Sequence, residues 1–287
     1  MRKLIAIDLD GTLLSSKLEI SKENIKAIQT AQNQGHVVMI CSGRAPEDIR
    51  GVIENTSLEC PVAGSNGTVV VADGKTLSEI SLNKQDVASV ANTLDEKKYP
   101  FKLYTSHGIF VPTTWSARLT QTFEQNQALA DSLSPEEYKR MTEQPAETDS
   151  IKIFNQLEEV LKVDDLTIQK FFVPTIEIEK KDDLIASLKK YEGISITTSG
   201  PHNIEIMAIN GHKGNGLKTM AEYYNIPIES TVAIGDNFND VPMLEIAGLS
   251  VAMGNADPTV KELSDVVTLT NDEHGVAHAI EKFVLNS

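Results

Sequence analysis

The sequence predicts an α/β fold, a parallel sheet with helices packed on it, followed by a second α/β unit. Three observations predict it. Short runs apolar on every residue recur at Leu4-Ile5-Ala6-Ile7, Val37-Val38-Met39-Ile40-Cys41 and Val232-Ala233-Ile234. Strands buried on both faces read this way, and parallel sheets are covered on both faces. Stretches of helical spacing lie between such runs, the alternation expected of a parallel sheet. From about Leu82 the character changes, and strand-like and amphipathic helical stretches mix without any dense cluster of ligand-type residues until about residue 200.

The first run ends in Asp8-Leu9-Asp10-Gly11-Thr12. Open parallel sheets bind ligands beyond the carboxyl ends of their strands, so Asp8 and Asp10 stand at the rim of a site. Two carboxylates this close repel unless a cation or a shared proton offsets them, which points to a hard cation such as Mg²⁺. Read alone, the same residues also fit a turn and a helix-capping acid.

Ser21 is placed as the N-cap of a helix whose apolar positions include Ile25, Ala27, Ile28 and Ala31, with Gly35 at its end. The second run leads into Ser42-Gly43-Arg44 and a helix from Ala45 to about Glu54. Ser42 and Gly43 there fit either an anion held by hydroxyl and backbone N–H groups or an ordinary cap. Ser65-Asn66-Gly67, between Val62-Ala63 and Val69-Val70-Val71, reads as a hairpin turn, and Asn66 is taken as structural, with a place facing the site as the lesser alternative.

In the second unit, helices are expected over Asp86 to Lys98, Trp115 to Ala130, Pro135 to Thr142 and Asp182 to Tyr191. Strands are expected at Phe101–Tyr104, Ile109–Val111, Ile151–Phe154 and Ile194–Thr197. Trp115 reads as a packing anchor.

A strand at Ile204–Met207 then leads into Gly211-His212-Lys213-Gly214, which opens a helix to about Tyr224. The spacing is not that of a P-loop. Lys213 fits either a phosphate contact or a solvated loop lysine. The run at Thr231–Ile234 ends in Gly235-Asp236-Asn237-Phe238-Asn239-Asp240, ahead of a helix from Val241 to Ala247. Asp240 fits a helix cap; Asp236 and Asp240 also fit the remaining ligands of a cation held by the first pair. His274 and His278 lie four apart with no third ligand evident, and are taken as surface or cap residues.

Net charge is −15 over 287 residues. Nucleic acid and anionic membranes attract basic patches, so neither is an expected partner. No apolar run approaches a membrane span, and the N-terminus lacks the features of a signal peptide. Cys41 and Cys60 have no ligand spacing and read as reduced thiols. A cytoplasmic protein is expected.

Taken together, Asp8-Leu9-Asp10-Gly11-Thr12, Ser42-Gly43-Arg44, Lys213-Gly214 and Gly235-Asp236-Asn237-Phe238-Asn239-Asp240 closely resemble the motif set of the haloacid-dehalogenase-like hydrolase superfamily, and within it the Cof-type sugar-phosphatase group. The resemblance covers nearly the whole chain. It implies a Rossmann-like core at 1–82 and 200–287 with an inserted α/β cap at 83–199 that selects substrate. It implies a Mg²⁺-dependent phosphatase acting on small phosphorylated metabolites, foremost sugar phosphates, through an aspartyl-phosphate. Asp8 would be nucleophile and metal ligand. Asp10 would be general acid and base, with its carbonyl on the metal, and Asp236 would complete the metal site. Ser42, Gly43, Lys213 and Asn239 would hold phosphate, and Asp240 would orient a metal-bound water or Lys213. A phosphosugar mutase and a non-catalytic phosphometabolite sensor are the alternatives. Either a monomer or a homodimer is compatible with the sequence.

Overall fold

The computed structural model describes residues 1–285, and two compact units divide them: 1–80 with 210–285, and 81–209. In the first unit an eight-stranded sheet runs in the order Val266–Val267, Leu249–Ala252, Thr231–Gly235, Leu4–Ile7, Val37–Cys41, Val62–Gly64, Val69–Ala72, Lys75–Glu79. The first six strands are parallel and the last two antiparallel. Leu4–Ile7 is therefore central, in register with Val37–Ile40 on one side and Thr231–Ile234 on the other. Its four residues are fully buried. Each large side chain there contributes on the order of 1.5–3 kcal/mol by leaving water. This centrality brings residues 8, 42 and 236 to neighbouring strand ends although more than two hundred positions separate the first from the last.

The helix Lys22–Asn33 begins as expected, with the Ser21 hydroxyl accepting from Asn24 N at 3.2 Å. It buries Asn24, Ala27, Ile28 and Ala31 against the sheet, and Gly35 past its end takes φ +88. Pro46–Ile53 and Lys213–Tyr223 are the helices that follow Ser42-Gly43-Arg44 and His212. The helix after Asp240 is shorter than expected, Val241–Leu244 rather than reaching Ala247, because the chain turns so that Gly248 N bonds Ile228 O.

The second unit is a six-stranded sheet in the order Ile194–Thr197, Asn203–Ala208, Ile168–Pro174, Lys102–Thr105, Gly108–Pro112, Ile151–Phe154, antiparallel except for its last pair. Four features depart from the sequence reading. Asn203–Ala208 pairs with Ile168–Pro174, so this strand belongs to the second unit, which runs from Ser81 to Ile209 rather than from 83 to 199. The central strand Ile168–Pro174 itself is not in the sequence reading. Gln169 and Lys170 interrupt its apolar run, yet both are buried, Lys170 Nζ lying 2.6 Å from Glu205 Oε1 and 4.4 Å from the Tyr104 ring centre. Polar residues are admitted to a buried strand only where tertiary partners satisfy them. The stretch from Trp115 to Ala130 is two helices, Trp115–Gln125 and Gln127–Ser132, broken at Asn126, whose side chain caps the second. The last helix is Ile178–Leu188 rather than Asp182 to Tyr191, while Pro135–Thr142 lies as expected. Trp115 is buried in a small cluster with Val111, Leu119 and Phe123, a packing anchor.

Among the described residues no helix is long and apolar enough to cross a membrane.

Candidate active site

Asp8 follows the central strand directly, its backbone N–H bonded to Ile234 O at 3.0 Å. The residue is only 5% exposed. Lys213, fully buried at the first turn of its helix, places Nζ 2.5 Å from Asp8 Oδ1 and 2.5 Å from Asp240 Oδ1. The loop reading of Lys213 is thereby excluded. Carboxylate oxygens of Asp8, Asp236 and Asp240 all lie within 4.8 Å of one another.

Asp240 does not cap its helix with its side chain. Its Oδ2 accepts from the N–H groups of Asp236 at 2.9 Å and Asn237 at 3.0 Å, while Oδ1 takes the lysine. Both oxygens of Asp240 are thus engaged in holding the turn and Lys213. Asp236 Oδ1 accepts from Thr12 Oγ1 at 2.6 Å. Gly11 takes φ +81, and a Cβ on it would lie 2.5 Å from Asp236 Oδ2. The glycine of Asp10-Gly11 is required both by the turn and by the space the carboxylate occupies.

Two buried carboxylates, Asp8 and Asp240, and the half-buried Asp236 face one ammonium. Burial first, and then the Asp240 charge, hold the Asp8 carboxyl well above the usual range even with Lys213 opposite. The same two causes push Asp236 up to about 6. Burial disfavours the charged form of Lys213, but Asp240 and Asp8 outweigh it and raise its pKa above the ordinary lysine value. An all-oxygen donor set with excess negative charge in a desolvated space fits a hard divalent cation such as Mg²⁺. Asp8 and Asp236 are the residues with carboxylate oxygens left for it once the contacts above are made.

Asp10 points elsewhere. Its carboxylate is half-exposed and held by both arms of Arg44, Nε to Oδ2 at 2.8 Å and Nη2 to Oδ1 at 2.5 Å. The Asp10 side chain is not part of the buried carboxylate group.

Ser42 is buried, and its hydroxyl accepts from Arg44 N at 3.2 Å. Asn239 is 6% exposed and donates from Nδ2 to Asn66 Oδ1 at 3.1 Å. Asn66 does sit in a hairpin turn, between antiparallel Val62–Gly64 and Val69–Ala72, but it also reaches a residue of the motif set. His212 caps its own helix through Nδ1, which accepts from Asn215 N at 3.2 Å, and Cys41 is a buried thiol pushed up to about 12 by burial. His278 Nδ1 pairs with Thr268 Oγ1 at 2.8 Å, and His274, at the start of the last helix, has Nδ1 3.6 Å from Glu23 Oε2, so neither histidine is part of the carboxylate cluster. Thr12 and Asn66 are the residues whose contacts the sequence reading missed. For Thr12 the only signal was its place inside Asp-x-Asp-Gly-Thr.

A parallel sheet whose adjacent strand ends gather a buried carboxylate, two further acids and a lysine presents an α/β enzyme site suited to a divalent cation. Residues 5–280 match the haloacid dehalogenase-like hydrolase family, and the chain belongs to it. Similar curated proteins from Bacillus subtilis (strain 168) include phosphatase YwpJ, 34% identical over 97% of this chain and 99% of that one. Another is the 5-amino-6-(5-phospho-D-ribitylamino)uracil phosphatase YwtE, 34% identical over 98% of each. A haloacid dehalogenase-like hydrolase from B. subtilis superposes with a TM-score of 0.83 at 32% identity, covering 98% of this chain and 100% of that one. The protein is a phosphoric monoester hydrolase, as the motif resemblance implied.

Proposed function

We propose that the protein hydrolyses small phosphorylated metabolites, phosphate monoesters of sugars and polyols, with Mg²⁺ and through an aspartyl-phosphate on Asp8. The observation that carries this reading is the burial of Asp8 against Lys213, with Asp236 and Asp240 within 4.8 Å. A carboxylate at a strand end, desolvated and fixed in place by Lys213, is suited to attack phosphorus. Asp8 and Asp236, with the Asp10 carbonyl, would hold Mg²⁺, which when bound offsets the negative charge of the reacting groups.

In the first half-reaction Asp8 attacks phosphorus, the phosphorus–ester oxygen bond breaks, and Asp10, its side chain turned from Arg44 toward the site, gives a proton to the departing alcohol. In the second, water attacks the same phosphorus and Asp10 takes its proton. The phosphorus–Asp8 bond breaks, releasing inorganic phosphate and restoring the enzyme. Lys213, Ser42, the N–H of Gly43 and Asn239 hold the phosphoryl oxygens, the positioning and charge stabilisation on which such reactions depend. Asp240 positions Lys213 and the turn that carries Asp236. The inserted unit selects the leaving group.

Three of the similar curated proteins are named phosphatases of 5-amino-6-(5-phospho-D-ribitylamino)uracil, whose phosphate sits on a ribityl arm. That supports polyol and sugar monoesters as the class to try first. The test is phosphate release with Mg²⁺ over a panel of such monoesters, beside the Asp8→Asn variant. Release lost in Asp8→Asn, with the fold retained, supports the reading. Steady-state turnover by Asp8→Asn would refute the covalent route.

A further inference from the structure

We infer that Asn66 is a positioning residue for phosphate binding, acting through Asn239, and that its loop braces three phosphate-binding positions at once. The inference rests on the phosphatase reading above. Ser65, Asn66 and Gly67 take φ +49, +60 and +81 in succession. Consecutive left-handed residues cost energy when two of them are not glycine, and persist only where the surroundings over-determine them. The surroundings here are the site itself.

The backbone of this loop is tied to the Ser42-Gly43-Arg44 turn at two points. Asn66 N donates to Ser42 O at 2.9 Å and Ser65 N donates to Arg44 O at 2.7 Å. Gly67 lies against the start of the lysine's helix, where a Cβ would meet His212 O at 2.6 Å and Lys213 Cα at 3.1 Å. The Asn66 side chain, 1% exposed, accepts from Asn239 Nδ2. One short loop thus touches the elements that carry Ser42, Lys213 and Asn239.

The chemistry of the Asn66–Asn239 pair is directional. An amide NH₂ has two hydrogens. With one of them committed to Asn66 Oδ1, the Asn239 amide is fixed in one of its two flips and its second hydrogen has a set direction. Asn239 presents that donor to a phosphoryl oxygen. Without Asn66 the amide is free to flip and offer its oxygen, which repels phosphate. Asparagine is also among the few side chains that accept the left-handed backbone readily.

The test uses the full chain with Mg²⁺ and p-nitrophenyl phosphate, and inorganic phosphate as inhibitor. Asn66→Gly keeps the backbone conformation, which glycine adopts without strain, and removes the side-chain amide with its acceptor. Asn66→Ser removes the same acceptor while leaving a polar group in the buried space. Both variants should lower kcat/KM and weaken inhibition by phosphate about tenfold, the size of one displaced hydrogen bond to a charged group. Asn239→Ala should do the same, and adding Asn66→Gly to Asn239→Ala should cost nothing further. Losses that add in the double variant would overturn the inference and leave the phosphatase reading standing. So would a lowered melting temperature with unchanged kinetics. If Asn239→Ala alone leaves phosphate inhibition intact, Asn239 is no phosphate contact, and that assignment falls together with the inference.

Discussion

Lys213 and Asp240 form a fully buried ion pair, Nζ to Oδ1 at 2.5 Å, with neither side chain exposed to solvent. The pair spans 27 residues and joins the start of one helix to the turn before another. Charges this deeply buried are tolerated only when paired and hydrogen-bonded, and Asp240 meets that condition with two backbone N–H groups as well as the lysine. The same lysine holds Asp8, so the residue that secures the turn also fixes the carboxylate proposed as nucleophile.

Replacing Lys213 with methionine leaves Asp8 and Asp240 buried without their cation. Breaking such a pair costs roughly 3–5 kcal/mol. Lys213→Met should lower the unfolding midpoint in denaturant accordingly and reduce kcat more than a hundredfold. A midpoint within experimental error of the parent would contradict the buried pairing.

Stability should depend on pH and metal together. The folded-state pKa of Asp236 is raised to about 6, above the roughly 3.9 of an unfolded aspartate, and Asp8 is shifted the same way. The folded state therefore binds more protons, so in chelator these groups destabilise it progressively as pH rises from about 4 through about 6. A divalent cation replaces the protons. Mg²⁺ should thus raise the melting temperature little at about pH 5 and by several degrees at about pH 7.5, by mass action on the folded state. Equal increments at both values would argue against a cation at Asp8 and Asp236.

Gly11→Ala places a Cβ 2.5 Å from Asp236 Oδ2 on a backbone at φ +81. The strain should cost about 1–3 kcal/mol. The displaced carboxylate should also weaken Mg²⁺ activation at least tenfold. Mg²⁺ titration of the phosphatase rate measures it, and unchanged half-saturation would show that Asp236 is not a ligand.

Arg44 grips both oxygens of Asp10 on a half-exposed surface. Exposed pairs contribute at most about 1 kcal/mol, so Arg44→Gln should barely move stability. Its effect should fall on proton transfer. Esters with poor leaving groups, such as alkyl phosphates, should lose more activity than p-nitrophenyl phosphate, whose anion departs without a proton. An equal loss on both classes would separate Arg44 from the acid–base step.

Much of this architecture is readable along the chain because local chemistry carries it. Leu4–Ile7, Val37–Cys41 and Thr231–Gly235 are strands with every residue buried, and unbroken apolar runs announce that. Their carboxyl-end residues are legible as site candidates because a parallel sheet opens there. Ile168–Pro174 was not legible, since Lys170 disguises a central strand and becomes acceptable only once Glu205 and Tyr104 lie beside it. The strand Asn203–Ala208 was legible as a strand but not as a member of the second sheet, because its apolar pattern suits either one.

Read along the chain, the motifs imply an α/β phosphatase of the haloacid dehalogenase-like family, with Asp8, Asp10, Lys213 and Asp236 among its candidate residues, since those motifs sit at strand ends and each is local. What each residue does to the next emerges on folding: Lys213 clasps Asp8 and Asp240, Thr12 holds Asp236, Arg44 pairs with Asp10, and Asn66 accepts from Asn239. Those relations span up to 224 residues. They depend on burial and on distances of a few ångströms, which no spacing along the chain encodes.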